Sequence, residues 1–168
     1  DCLVGPVGYY CDEAGNPSTL DDIMEQNKCQ DGYYCPQSSI SQYGESIDDD
    51  SAKLCNAGHY CKDGIEQECD TTTYQDETGR DTCEKCPAGS LCNEKGLTEP
   101  ALCPLGSYCK DSLETKCPPG RYGDKQNLSE SGECPLCPAG YKCPNQGMDE
   151  TQWEKCDAGY YCHEGTES

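Results

Sequence analysis

Residues 137–143 read CPAGYKC, and the same spacing, C-x-x-G-x-x-C, returns in CQDGYYC (29–35), CNAGHYC (55–61), CPAGSLC (86–92), CPLGSYC (103–109) and CDAGYYC (156–162). Each part of this knuckle has a physical reason. Glycine takes a positive φ at little cost, so the chain can turn tightly between two anchored cysteines. Proline after the first cysteine stiffens the approach in three of the six copies. An aromatic ring near the second cysteine can cover a disulfide with a flat apolar face while its hydroxyl reaches water.

Working outward, the rest of the chain offers little else to fold around. Of 168 residues, 18 are Cys and 12 are Tyr; Phe is absent and Trp occurs once. Few aliphatic side chains remain for a core of ordinary size, so covalent links must take its place. Eighteen cysteines can form nine disulfides, each contributing roughly 2–4 kcal/mol, although not additively. Such frameworks belong to oxidising compartments, so an extracellular location is expected, secreted or at a cell surface. No apolar run approaches the ~20 residues that cross a bilayer. Neither a signal peptide nor an initiating Met is present, so the chain reads as a mature product or an excerpt of a longer one. A net charge of -20 argues against nucleic acid and anionic membranes as partners.

The cysteines are periodic on a larger scale. From Cys69 the steps are 14, 3, 6, 11, 6 and 8 residues, and from Cys117 they are 17, 3, 6, 13 and 6. From Cys2 they are 9, 18, 6, 20, 6 and 8. Three six-cysteine modules result: 1–68, atypical and with long loops, 69–116, and 117–168. Their periods of 67, 48 and 53 together equal the length of 168. Writing the end of the chain onto its beginning turns CHEGTES into CHEGTESDC, which matches CKDGIEQEC (61–69) and CKDSLETKC (109–117). The economical reading is one period of a longer tandem array, as in repeat proteins whose units stack on their neighbours. The alternative is a three-module ectodomain bounded at module seams.

Two stretches carry a family likeness. CPPGRYGDKQNLSESGECPLCPAGYKC (117–143) runs C-P-x-G-x-Y, a polar loop, then C-x-x-C-P-x-G, and CDTTTYQDETGRDTCEKCPAGSLC (69–92) is a looser copy. This resembles the ephrin-receptor-like, or GCC-type, repeats found in large protist surface proteins, and more distantly the tumour-necrosis-factor-receptor cysteine-rich domains. The likeness covers about two thirds of the chain; the first module departs from it, because Cys11 and Cys29 lie 18 apart where the others have C-x-x-C.

The resemblance implies a small disulfide-rich fold: an elongated tandem array of six-cysteine modules with little regular secondary structure and short hairpins. It also implies a pairing of first with second, third with fifth and fourth with sixth cysteine. Carried over, the pairs are Cys69–Cys83, Cys86–Cys103, Cys92–Cys109, Cys117–Cys134, Cys137–Cys156 and Cys143–Cys162. By extension the first module has Cys2–Cys11, Cys29–Cys55 and Cys35–Cys61.

One short helix is expected at 18–27. Ser18 or Thr19 can cap it, Asp21 and Asp22 suit its first turn, and Leu20, Ile23 and Met24 share a face. That face can pack on a neighbouring module or on its own disulfides.

Catalytic chemistry finds no foothold. The C-x-x-C pairs Cys83/Cys86 and Cys134/Cys137 lack the grouped second pair of a zinc site, so structural disulfides are expected. The two histidines, His59 and His163, stand where sister segments carry Tyr and Lys, without a nucleophile setting. No enzyme and no cofactor are expected. The acidic runs Asp21-Asp22 and Asp48-Asp49-Asp50 match no EF-hand loop and at most collect calcium diffusely. Asn127-Leu128-Ser129 is an N-glycosylation sequon, whereas Asn16 is blocked by Pro17. Thr71, Thr72, Thr73, Ser38 and Ser39 offer O-linked sites. The function expected is a structural repeat unit of an extracellular, glycosylated filament or surface coat. Its partners would be glycans and copies of itself, in covalent tandem or head to tail. The alternative is a receptor-like ectodomain fragment that binds a protein ligand.

Overall fold

The structure, a computed structural model, describes residues 6–10, 27–37, 39 and 52–168. It is a small disulfide-rich fold, nearly free of helix among the described residues, and built from short antiparallel hairpins. The described residues form two compact units. The first lies within Asp1–Lys85 and Glu94–Glu99, the second is Cys86–Asn93 with Pro100–Ser168. The middle sequence module, 69–116, thus contributes to both units. The expected helix at 18–27 lies outside the described residues save for Asn27, whose carbonyl accepts the Tyr10 amide.

In the first unit β1 (Tyr33–Tyr34) pairs with β2 (Lys53–Leu54), β3 (His59–Lys62) with β4 (Ile65–Glu68), and β5 (Thr73–Tyr74) with β6 (Glu84–Lys85). In the second, β7 (Ser90–Leu91) pairs with β8 (Ala101–Leu102), β9 (Ser107–Lys110) with β10 (Leu113–Lys116), and β11 (Tyr141–Lys142) with β12 (Glu154–Lys155). A single 3-10 turn spans Ser131–Glu133 among the described residues. The rule behind every pair is the same. The two residues after a knuckle's central position pair with the two before the next knuckle's first cysteine, so each hairpin runs from one knuckle to the next.

The disulfides depart from the receptor-like expectation. Each seven-residue knuckle closes on itself: Cys29–Cys35, Cys55–Cys61, Cys86–Cys92, Cys103–Cys109, Cys137–Cys143 and Cys156–Cys162. The expected links Cys29–Cys55, Cys35–Cys61, Cys86–Cys103, Cys92–Cys109, Cys137–Cys156 and Cys143–Cys162 are therefore replaced. The reason is the glycine. At Gly89, φ +80 folds the segment back until Cys86 and Cys92 have Cα atoms 5.9 Å apart, within disulfide reach. Cys69–Cys83 and Cys117–Cys134 pair as expected. Cys2–Cys11 lies outside the described residues.

The core is made mostly of sulfur. Most half-cystines are fully buried, and Leu128 is the one large aliphatic side chain, among the described residues, below 2% exposure. It packs on Cys117 and Cys134 beside Tyr108, while Met148 packs on Cys137 and Cys143 beside Tyr122, Tyr141 and Trp153. Tyr122 meets Trp153 edge-on at 4.9 Å, the favoured geometry for rings of this quadrupole. By the chain-entropy argument a knuckle link between cysteines six apart contributes about 2 kcal/mol and the longer loops about 3 kcal/mol.

Candidate functional site

The repeated object is a rung, seen at Gly120. Its amide donates to the Cys143 carbonyl (2.9 Å), and its own carbonyl accepts the Cys137 amide (2.8 Å). A later loop completes the rung: the Gly165 amide donates to the Cys137 carbonyl (2.8 Å), and the Cys143 amide donates to the Thr166 carbonyl (2.9 Å). A knuckle, its successor and a loop beyond that successor are thus woven together.

The pattern repeats within each unit. In the second, Asn127 serves the Gly89 rung and Gly147 the Gly106 rung, donating to the carbonyls of Cys103 (3.1 Å) and Cys117 (2.9 Å). In the first, Gly79 and Gly96 donate to Cys55 (2.8 Å) and Cys69 (2.9 Å), serving the rungs of Gly32 and Gly58. The loop comes so close that a Cβ at Gly32, Gly58, Gly89, Gly106 or Gly120 would overlap a loop carbonyl. This weave was not visible from cysteine spacing. Its signal is an isolated Gly or Asn between knuckles, a residue type that tolerates positive φ; Asn127 has φ 66.

Three knuckles escape the sequence pattern. Cys117 to Tyr122 has its glycine, Gly120, but closes on Cys134 after a polar insertion. Cys69 to Tyr74 has Thr72 in the glycine slot, at φ 76. GPVGYYC (5–11) has Gly5 in place of the first cysteine, yet Gly8 (φ +92) keeps the bonds of a rung, to the Cys35 carbonyl and from the Cys29 amide, both 3.0 Å.

The rung at the far end of the second unit is incomplete among the described residues. Gly140 bonds the last knuckle normally, its amide to Cys162 and its carbonyl from Cys156, both at 3.0 Å. No loop covers it: a Cβ at Gly140 or at Gly159 meets nothing within 4 Å, and both glycines are exposed where those of the other knuckles are buried. Tyr160 and Tyr161 are 81% and 73% exposed, whereas their counterparts Tyr33, Tyr34, His59 and Tyr60 are half-buried in hairpins.

Cys55, Cys61 and Glu66 cluster within 4.8 Å, but both sulfurs are joined to each other, and Glu66 Oε1 accepts from the amide (3.0 Å) and side chain (2.8 Å) of Asn56. The C-x-x-C cysteines belong to separate disulfides, and the structure has no free thiol among the described residues. Lys116 Nζ (2.6 Å) and the Ser107 hydroxyl (2.9 Å) donate to Glu114 and lower its pKa. The Ser129 amide (2.6 Å) does the same to Glu133, and the Thr151 hydroxyl (2.6 Å) and amide (2.8 Å) to Asp149. An open hollow of about 410 Å³ lies beside Tyr60, Lys62, Asp70 and Thr73. His59 Nδ1 lies 3.2 Å from the Ala57 carbonyl, and His163 meets Tyr161 edge-on at 4.7 Å.

At the glycosylation sites, Asn127 is exposed and its Oδ1 accepts the Cys103 amide (3.2 Å), while Leu128 between it and Ser129 is buried. Thr71 and Thr72 are exposed; Thr73 is half-buried with its hydroxyl on the Asp70 carbonyl (2.6 Å). Ser39 is a correction. It is fully buried, its hydroxyl donating to the Pro36 carbonyl (2.8 Å), so the folded chain does not offer it to a sugar. Ser38 and the acidic runs Asp21-Asp22 and Asp48-Asp49-Asp50 lie outside the described residues.

Comparison with protein-family models gave no match, and comparison with curated proteins gave none either. No helix among the described residues is long and apolar enough to cross a membrane. The eight disulfides among the described residues suit an oxidising environment, extracellular or secretory.

Proposed function

We propose that this chain is a structural repeat unit of an extracellular, glycosylated, disulfide-stapled filament or surface coat, akin to the ephrin-receptor-like repeats its knuckles resemble. The observation that carries the reading is the rung: one backbone arrangement, made by knuckle after knuckle, in which each is completed by segments further along. Its mechanism is mechanical. Covalent staples within the knuckles resist unfolding, and acidic side chains with a glycan on Asn127 keep the surface solvated. Copies of the unit follow one another in covalent tandem.

A second reading, a receptor-like ectodomain that binds a protein ligand, draws on exposed leucines in the second unit: Leu102 (54%), Leu105 (49%) and Leu113 (69%). The intact mass of the native polypeptide, reduced, denatured and deglycosylated, separates the two. A mass many times 18.3 kDa supports the array. A single species near that mass ends the covalent array and brings the binding module forward.

A further inference from the structure

We infer that the hollow on the first unit beside Tyr60, Lys62 and Asp81 is a binding site for a pyranose sugar, held non-covalently and distinct from any glycan the chain itself carries. Such a site does not depend on whether copies of the unit follow one another.

Three separate constraints bring its walls together. The Cys61 amide donates to the Arg80 carbonyl (2.8 Å), which sets Asp81 beside the β3 residues Tyr60 and Lys62. The Cys69–Cys83 disulfide, with Cα atoms 5.8 Å apart, holds Asp70 and Thr73 close to Thr82. Gln75, 2% exposed, spans the loop from inside: its Nε2 donates to the Thr82 carbonyl (2.8 Å) and its Oε1 accepts the Glu77 amide (3.0 Å). Tyr60 is half-buried, and its hydroxyl donates to Gln67 Oε1 (2.9 Å). The frame is thus fixed before a ligand arrives, which spares the ordering cost that weakens binding at loose loops.

The lining selects the ligand by elimination. Asp70 and Asp81 repel an anion, as does the net charge of -20. A cation meets Lys62, and Asp70 already has a cation in Lys95, whose Nζ lies 2.7 Å from its Oδ1. An apolar ligand would strip water from Lys62 and Asp81, which have no ion-pair partner among the described residues. What remains is a neutral molecule with hydroxyls on its rim and one flat apolar face. A pyranose is such a molecule. Its hydroxyls can accept from Lys62 and donate to Asp81, while its C–H face covers the Tyr60 ring and the half-buried Cys83. The volume of about 410 Å³ lies near the lower end of the roughly 300–1,000 Å³ of small-ligand sites and has room for a sugar ring.

The test is titration of the oxidised, unglycosylated 168-residue chain with the methyl pyranosides of glucose, galactose, mannose and N-acetylglucosamine, followed by amide chemical shifts. At least one pyranoside should move the Tyr60, Thr73 and Thr82 amides along a saturating curve, with a Kd on the order of 1 mM, and leave Gly120 and Cys143 unmoved. Glycerol, which has hydroxyls but no ring face, should give only a linear shift. Tyr60→Ala and Asp81→Ala should each raise the Kd at least ~10-fold. Asp81 is exposed and outside every strand, so its variant decides the matter if Tyr60→Ala fails to fold. Linear shifts from every pyranoside, no larger than those from glycerol, overturn the site. Saturation by inorganic phosphate or ethylammonium without a pyranoside response overturns it too, as does pyranoside binding that Asp81→Ala leaves unchanged.

Discussion

The carbonyl oxygen of Gly96 occupies the space where a side chain on Gly58 would begin. Gly58 also sits at φ +80, a region that costs an L-residue about 1–2 kcal/mol. At Gly140 the φ is +87 but the space is open. Gly58→Ala should therefore lower stability by more than about 2 kcal/mol and Gly140→Ala by only about 1 kcal/mol. Denaturant midpoints of the two variants check this, and equal losses would mean that backbone conformation alone matters.

Thr72 is the reverse case, a β-branched residue at φ 76 in a slot where other knuckles have glycine, and it is exposed. Thr72→Gly should raise stability by about 0.5–1 kcal/mol, since relief of the left-handed conformation outweighs the added freedom of the unfolded chain. A lower midpoint in the same assay would refute this.

The closure of knuckles on themselves has a direct chemical readout. Trypsin cuts after Lys85 and Lys95, so the non-reduced chain should release residues 86–95 alone, with Cys86 and Cys92 joined internally. The receptor-like pairing would instead deliver this peptide linked to the one that holds Cys103 and Cys109. Mass spectrometry before and after reduction distinguishes the two.

Asn127 holds a rung and also stands in a sequon, and substitution separates the two. Asn127→Gly should remove the glycan and keep the rung, because glycine also accepts φ 66. Asn127→Ala should remove the glycan and cost about 1–2 kcal/mol besides. Expression in a glycosylating host, followed by mass and thermal unfolding, reads both effects. No mass difference from the unsubstituted chain beyond the side chain would mean that the sequon is unused.

Glu114, Glu133 and Asp149 have lowered pKa values in the folded chain. A depressed folded value means that the stabilisation is present above the unfolded value, about 4.3 for Glu and 3.9 for Asp, and is lost as pH falls through the folded one. The melting temperature should thus be level at neutral pH and decline below about pH 4. Glu114→Gln should shallow that decline. These groups are exposed, so the change is modest.

Much of the fold was legible in the residues. Too few aliphatic side chains remain to build a core, so disulfides followed from composition and from C-x-x-G-x-x-C, while short hairpins followed from the resemblance. Cys69–Cys83 and Cys117–Cys134 followed from the family likeness. The likeness misled on the short knuckles because order along a chain does not say which cysteines a backbone turn brings within 6 Å. Nothing in the residues distinguished a covered knuckle glycine such as Gly58 from a bare one such as Gly140.

By itself the sequence determined that sulfur would replace a hydrophobic core, and it determined the knuckle, its turn and its period, all of which depend on local spacing and on the allowed φ of glycine. Only the tertiary structure decided which cysteines meet, that Asn127 and Gly165 lock knuckles far from them in sequence, and that Gly140 and Gly159 stand uncovered. The covering of the glycines is a matter of packing between segments 20 or more residues apart, which no local rule of chain geometry contains, whereas the disulfides join cysteines 6 to 17 residues apart whose meeting depends on how the turn between them is set.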